Sequence, residues 1–206
     1  MSQYTAIFWD MGGVILTNAW GRNSRRRAAE KFGLDWEEFE DRHELVLHAF
    51  ETGQVGLEEY LNRVIFYRQR SFTREDFKAY MYGESQPLDA GLSVLRRLAA
   101  SKKYLVAALN NESLELNDYR IRTFRLRDSF AAFFSSCYLG ERKPDAAIFR
   151  AALNITQRQP QECIFIDDRP LNIEAARVLG MQAVQCQDGA QLERELLALG
   201  ITLAGA

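Results

Sequence analysis

The stretch Tyr4-Thr5-Ala6-Ile7-Phe8-Trp9-Asp10-Met11-Gly12-Gly13-Val14-Ile15 constrains the fold more than any other part of the chain. Its apolar, β-branched and aromatic residues read as a buried strand that stops abruptly at Asp10. Two glycines follow within three residues, so the backbone there is free to turn sharply and to approach a ligand closely. A carboxylate at the carboxyl end of a first strand, beside a glycine turn, stands where open α/β sheets take their ligands. Taken alone, Asp10 reads equally well as a residue that caps a turn. The rest of the chain decides between the two.

After Leu16 the strand-like character stops, and from about residue 23 to 81 the pattern is helical. Ser24 precedes a run through Phe32, with Gly33 where a C-terminal cap belongs. Asp35 and Glu38 have capping-box spacing, followed by an apolar stripe of Phe39, Leu45, Val46 and Phe50 that Gly53 closes. Leu57, Leu61, Val64 and Ile65 mark a third helix. Thr73 with Asp76 opens a fourth that carries Phe77, Tyr80 and Met81 and stops at Gly83. The segment Gly83-Glu84-Ser85-Gln86-Pro87 reads as a linker.

Beyond the linker, strands and helices alternate. Asp89 caps a helix with Leu92, Leu95 and Leu98. Tyr104 to Leu109 is a strand ended by Asn110-Asn111, and Phe133 to Leu139 is another. Pro144 starts a helix that buries Ile148, Phe149 and Ala152. Cys163 to Ile166 is a strand ended by Asp167-Asp168, and Pro170 starts a helix that Gly180 ends. Met181 to Cys186 is the last strand, and 192–199 the last helix. The expected fold is therefore α/β, a Rossmann-like, doubly wound parallel sheet with an inserted helical bundle. Residues 1–17 and 86–206 would form the core, and 18–85 the cap.

Three strand ends, at Asp10, Asn110-Asn111 and Asp167-Asp168, would share one edge of such a sheet. Lys143 stands just before a helix start. Converging carboxylates repel and raise one another's pKa. A divalent cation removes that conflict, and all-oxygen ligands suit Mg²⁺. A lysine beside them supplies a point charge for a phosphoryl group. The net charge of −2 argues against a nucleic-acid partner bound through a general basic field. Cys137, Cys163 and Cys186 include no C-x-x-C and read as core residues of a reducing compartment. The N-terminal apolar run is too short for a signal peptide or a membrane span, so a soluble cytoplasmic protein with no membrane partner is expected.

In this order the motifs resemble those of the haloacid dehalogenase superfamily with a helical cap after the first strand. Asp10-Met11-Gly12-Gly13-Val14 matches the first motif. Asn110-Asn111 stands where the second has Ser or Thr followed by Asn. Lys143-Pro144-Asp145 matches the third, and Asp167-Asp168 with Asn172 the fourth. The branch whose first motif reads Asp-x-Gly is the most similar, and it includes phosphatases of anomeric sugar phosphates. The resemblance implies a Mg²⁺-dependent phosphatase of a small phosphorylated metabolite. Asp10 would attack phosphorus and carry an aspartyl-phosphate, with Lys143 paired to it. Asp10, the Gly12 carbonyl and Asp168 would hold the metal, with Asp167 reaching it through water or supporting a ligand. Asn110 would bond a phosphate oxygen through its amide, and Met11 and Asn111 through their backbone N–H groups.

The sequence departs from the family at residue 12, where phosphatases carry a second Asp as acid and base. Gly12 leaves proton transfer to a good leaving group, to slow turnover, or to a cap residue such as His48 or Glu51. A phosphate-binding regulatory module without turnover is one alternative. A 2-haloacid dehalogenase is another, although it would gain nothing from Asp167-Asp168. Arg22, Arg25, Arg26 and Arg27, and likewise Arg120, Arg122, Arg125 and Arg127, read as solvent-facing. His43 and His48 lie five apart, about 140° around a helix, and do not form a metal pair. Trp9 and Trp20 read as core. The sequence leaves the oligomeric state open.

Overall fold

The computed structural model describes residues 3–205. Strands Ala6–Trp9 (β1), Leu105–Asn110 (β2), Ala132–Ser135 (β3), Cys163–Asp167 (β4) and Gln182–Gln185 (β5) form one sheet in the order β3-β2-β1-β4-β5. Every pairing is parallel, with Trp9 level with Ala108 on one side and Ile166 on the other. Helices Arg22–Phe32 (α1), Trp36–Glu51 (α2), Leu57–Val64 (α3) and Arg74–Gly83 (α4) lie between β1 and β2. Asp89–Ala100 (α5), Leu114–Thr123 (α6), Ser136–Leu139 (α7), Ala146–Thr156 (α8), Pro170–Val178 (α9) and Gly189–Ala198 (α10) follow. The expected α/β fold with a helical insertion is the observed one.

All four residues of β1 are buried, because helices cover both faces of a parallel sheet. Ile7 and Trp9 pack with Leu95 and Leu98 of α5 and Leu192 and Leu196 of α10. Ala6 and Phe8 face the other way, toward Ile148, Phe149 and Ala152 of α8 and Ile173 of α9. The chain reverses winding direction at β1, so the crevice outside the carboxyl ends of β1, β2 and β4 is the natural ligand position.

The insertion has its own core of Trp20, Phe39, Phe50, Tyr60, Leu61 and Phe77, with Phe50 stacked on Tyr60 at 4.1 Å between ring centroids. Asp35 accepts from the Glu38 N–H, and Thr73 with Asp76 forms a reciprocal capping box. The two passages into and out of the insertion run side by side. The Thr17 N–H donates to Gln86 O at 2.9 Å, the Gln86 N–H to Thr17 Oγ1 at 2.9 Å, and the Thr17 hydroxyl to Glu84 O at 2.6 Å. Among the described residues no helix is long and apolar enough to cross a membrane, and all three cysteines are free.

Several elements differ from the sequence expectation. The strand expected over Phe133 to Leu139 ends at Ser135, and Ser136–Leu139 is one helical turn. There the Ser136 hydroxyl donates to Glu51 O at 2.6 Å and accepts from the Glu112 N–H, which ties the turn to α2 and to the β2 exit. α8 starts at Ala146, with Asp145 rather than Pro144 at its boundary. Asp89 is the first residue of α5 and not its cap. Ser24 lies inside α1, where its hydroxyl donates to Gly21 O. Leu45 is exposed, so the α2 stripe runs through Phe39, Val46 and Phe50 alone. α10 begins three residues before the expected start. α6 had no counterpart in the sequence reading.

Candidate active site

The ends of β1 and β4 and the start of α8 bring four charged side chains together. The Asp10 N–H donates to Ile166 O at 2.8 Å, which holds the residue after β1 against β4. Lys143 Nζ lies 3.0 Å from Asp10 Oδ1 and 2.6 Å from Asp167 Oδ2, and the lysine is buried. Oxygens of Asp10, Asp167 and Asp168 all lie within 4.8 Å of one another. The Lys143 peptide is itself clamped. Its N–H donates to Asn111 Oδ1, and its carbonyl accepts from Asn111 Nδ2, both at 2.8 Å.

Burial sets the electrostatics. It pushes the Asp10 carboxyl up to about 7, against the pull of Lys143, with Asp167 and Asp168 adding to the rise. It pushes Asp168 up as well. Burial works against the charge on Lys143, but Asp10 and Asp167 outweigh it and its pKa is raised. Asp168 Oδ2 accepts from Asn18 Nδ2 at 3.0 Å, whereas Asp168 Oδ1 is buried with no hydrogen-bond partner. An unpartnered buried carboxylate oxygen beside a second raised carboxyl is what an all-oxygen site for a divalent cation presents. The residues present therefore fit Mg²⁺.

The site residues named from the sequence fare differently. Asp10, Gly12, Asn111 and Lys143 line one cavity of about 540 Å³ between sheet edge and insertion. Asp167 is fully buried and already saturated by protein donors. Oδ1 accepts from the Arg169 N–H at 2.8 Å, Oδ2 from Lys143, and both from Asn172 Nδ2 at 3.1 and 3.0 Å. It holds Lys143, and its carboxylate stays within 4.8 Å of those of Asp10 and Asp168. Asn110 turns away from the cavity. Its amide donates to Asn117 Oδ1 at 3.0 Å, and its carbonyl oxygen accepts from the Ser135 hydroxyl at 2.8 Å, in a buried polar cluster. An amide is long enough to find those partners, and they engage both ends of the Asn110 side chain. The Met11 side chain lies in the core, and only its peptide group is near the site.

Asn18 explains why residues 12 and 13 are glycines. A Cβ on Gly12 would stand 2.5 Å from Asn18 Oδ1, and one on Gly13, at φ +72°, would meet the Asp168 carboxylate. No local pattern marks Asn18, because its position depends on the path into the cap. Two arginines read as solvent-facing are buried. Arg25 forks onto Glu40 at 2.9 and 2.8 Å and donates to Trp20 O. Arg120 pairs with Glu112 at 3.0 Å and donates to Ser85 Oγ and Thr17 O. Both line the cavity, as do Arg22, Arg142 and Arg169. Of the two cap acids considered, His48 is exposed, whereas Glu51 lines the cavity, its carboxyl pushed up by burial beside Arg142 at 3.1 Å.

The sequence model of the haloacid dehalogenase-like hydrolases matches residues 4–180. Flavin mononucleotide hydrolase 1 of the Arabidopsis thaliana chloroplast is 31% identical over 174 residues, 84% of this chain and 70% of that protein. D-ribitol-5-phosphate phosphatase of Bacteroides thetaiotaomicron is 26% identical over 206 residues, 94% of this chain and 97% of that protein. A solved structure of a haloacid dehalogenase family enzyme from Bacteroides thetaiotaomicron, in complex with magnesium and inorganic phosphate, superposes with a TM-score of 0.75. It is 22% identical and covers 90% of this chain and 96% of that one, a likeness of fold.

Proposed function

Because the chain belongs to the family of haloacid dehalogenase-like hydrolases, we propose that it hydrolyses a small phosphate monoester through an aspartyl-phosphate on Asp10. The observation that carries this reading is the placement of Lys143, 3.0 Å from Asp10, beside the unpartnered oxygen of Asp168. Asp10 attacks phosphorus, the ester oxygen leaves, and water later cleaves the acyl phosphate. Lys143 pairs with the charge on the transferring oxygens, held in place by Asp167 and by the Asn111 clamp. Asp10, Asp168 and the Gly12 carbonyl would hold Mg²⁺. When bound, the ion neutralises the carboxylate cluster and polarises the phosphoryl group.

The substrate class we assign is a phosphorylated polyol. The names of the two relatives above both concern a phosphate on the 5-hydroxyl of a ribityl chain, since flavin mononucleotide carries its phosphate there. That class stands ahead of the anomeric sugar phosphates suggested by the resemblance alone. With no carboxyl at residue 12, the rate should fall steeply as the leaving group becomes more basic. General acid catalysis is typically worth ~10²–10⁴-fold. Turnover of 4-nitrophenyl phosphate and of ribitol 5-phosphate, each with and without Mg²⁺, tests the reading. Mg²⁺-dependent release of phosphate that is lost in Asp10→Asn is expected. No Mg²⁺-dependent turnover of any ester would favour the second reading, a phosphate-binding module without turnover, for which Gly12 is the argument. Chloride release from a 2-haloacid would favour a dehalogenase.

A further inference from the structure

In the cap, His43 carries a buried polar atom whose hydrogen bond is missing. His43 of α2 is 1% exposed, lines the same cavity as Asp10, and its Nε2 is buried without a partner. The protonation of its ring follows from the neighbours. Trp20 Nε1–H is a donor only, and it donates to the Tyr60 hydroxyl at 2.9 Å. Tyr60 Oη also lies 2.8 Å from His43 Nδ1. Tyr60 is fully buried, and no other acceptor is recorded for its hydroxyl proton among the described residues. The proton that Tyr60 carries therefore goes to His43 Nδ1, which makes Nδ1 an acceptor. Burial, with Arg25 and Arg142 near, keeps the imidazole neutral. A neutral ring that accepts at Nδ1 carries its hydrogen at Nε2.

We propose that His43 Nε2–H is a specificity-determining donor of the cap, oriented by the Trp20–Tyr60 relay to bind a hydroxyl or carbonyl oxygen of the substrate's leaving group. The proposal rests on the phosphatase reading and deepens it. An empty, buried donor is costly until an acceptor arrives, so a ligand that brings an oxygen to this point is favoured over one that brings a methylene. Arg25 and Arg142 line the same cavity but are committed to Glu40 and Glu51. A neutral, unpaired donor selects an uncharged oxygen of a polyol chain, whereas the cluster at Asp10 and Lys143 handles the phosphoryl end.

Two measurements test this. Nitrogen NMR of histidine-labelled protein carrying His48→Gln leaves His43 as the sole reporter. The neutral Nε2–H tautomer is expected, and an Nδ1–H tautomer overturns the proposal. Calorimetric titration, with Mg²⁺, then compares the phosphonate isostere of ribitol 5-phosphate with pentylphosphonate, which lacks the hydroxyls. Wild type is expected to prefer the hydroxylated compound, and His43→Phe to reduce that preference about tenfold, the scale of one neutral hydrogen bond, while affinity for methylphosphonate stays unchanged. An undiminished preference in the variant overturns the assignment of His43 alone. Failure of every phosphonate to bind wild type overturns the phosphatase reading and this proposal with it.

Discussion

Gly12 has no room for a side chain while Asn18 Oδ1 stands 2.5 Å from where a Cβ would be and Asn18 Nδ2 holds Asp168. Gly12→Asp alone should displace Asn18 instead of supplying an acid, so it should lower the melting temperature and leave alkyl-ester turnover unimproved. Gly12→Asp with Asn18→Gly vacates the space and should raise kcat on ribitol 5-phosphate by about tenfold or more, within the ~10²–10⁴ span of acid–base catalysis. Equal rates in the two variants would show that residue 12 does not face the leaving oxygen. His43 makes a separate prediction about stability. Burial pulls its pKa down from 6.5 to about 3. The unfolded chain therefore takes up a proton below pH 6.5 that the folded chain refuses, and stability falls as pH drops from 6.5 toward 3. The slope is one proton, roughly 1.4 kcal/mol per pH unit. Urea midpoints at pH 7, 5.5 and 4.5 should converge between wild type and His43→Phe as the pH falls; parallel curves would mean that the ring is already charged when folded. Asp10, Lys143, Asp167 and Asp168 were legible in the sequence because strand ends and helix starts carry local signals. Asn18 and His43 were not, because what they touch is decided by how the cap folds back on the sheet.

α6 shows what hydrophobic periodicity misses. Its buried face is Leu116, Asn117, Arg120 and Ile121, half of it polar, so no apolar stripe marks the helix. Those polar residues have structural work. Asn117 bridges Asn110 and Ser135, with its Nδ2 3.0 Å from Ser135 Oγ. Arg120 reaches both passages of the insertion, at Thr17 O and Ser85 Oγ, while paired with the buried carboxylate of Glu112. Arg120→Met strands that carboxylate, and removing one partner of a buried pair costs about 3–5 kcal/mol. Glu112→Gln combined with Arg120→Met removes both charges and should recover more than half of the loss. Urea unfolding of wild type, each single variant and the double variant measures this, and additive losses would mean that the pair is not coupled. The cap helices were legible for the opposite reason. Thr73 with Asp76 and Asp35 with Glu38 are short-range caps, and the aromatic stripe of the insertion packs against itself. The strand expected from Phe133 ended early because Ser135 and Ser136 turn to polar partners, Asn110 and Glu51, that lie far away in sequence.

Across the whole molecule a net charge of −2 conceals a cavity where Arg22, Arg25, Arg120, Arg142, Lys143 and Arg169 gather around a carboxylate cluster. Composition gives the sum of charge, and only the fold gives its distribution. The carboxylate cluster should make the stability of the whole chain depend on a cation. Without one, the Asp10 carboxyl sits at about 7 when folded against 3.8 as its ordinary value. A raised carboxyl favours folding fully below the unfolded value, and that contribution is lost as pH rises through about 7. Mg²⁺ binds the ionised form and so offsets a cost that builds up between the two values and is complete above about 7, while protons compete for the same oxygens below it. At a hundredfold excess over its Kd, a ligand stabilises by about 2.7 kcal/mol, or roughly 5–10 °C in a chain of this size. Calorimetry at pH 8 should show a rise of that order on adding Mg²⁺, a smaller one at pH 6 and almost none at pH 5. Asp168→Asn should abolish the rise at every pH, because it removes a carboxylate of the cluster that holds a buried oxygen in reserve. A Mg²⁺ effect that grows as the pH falls would place the ion somewhere other than at Asp10 and Asp168.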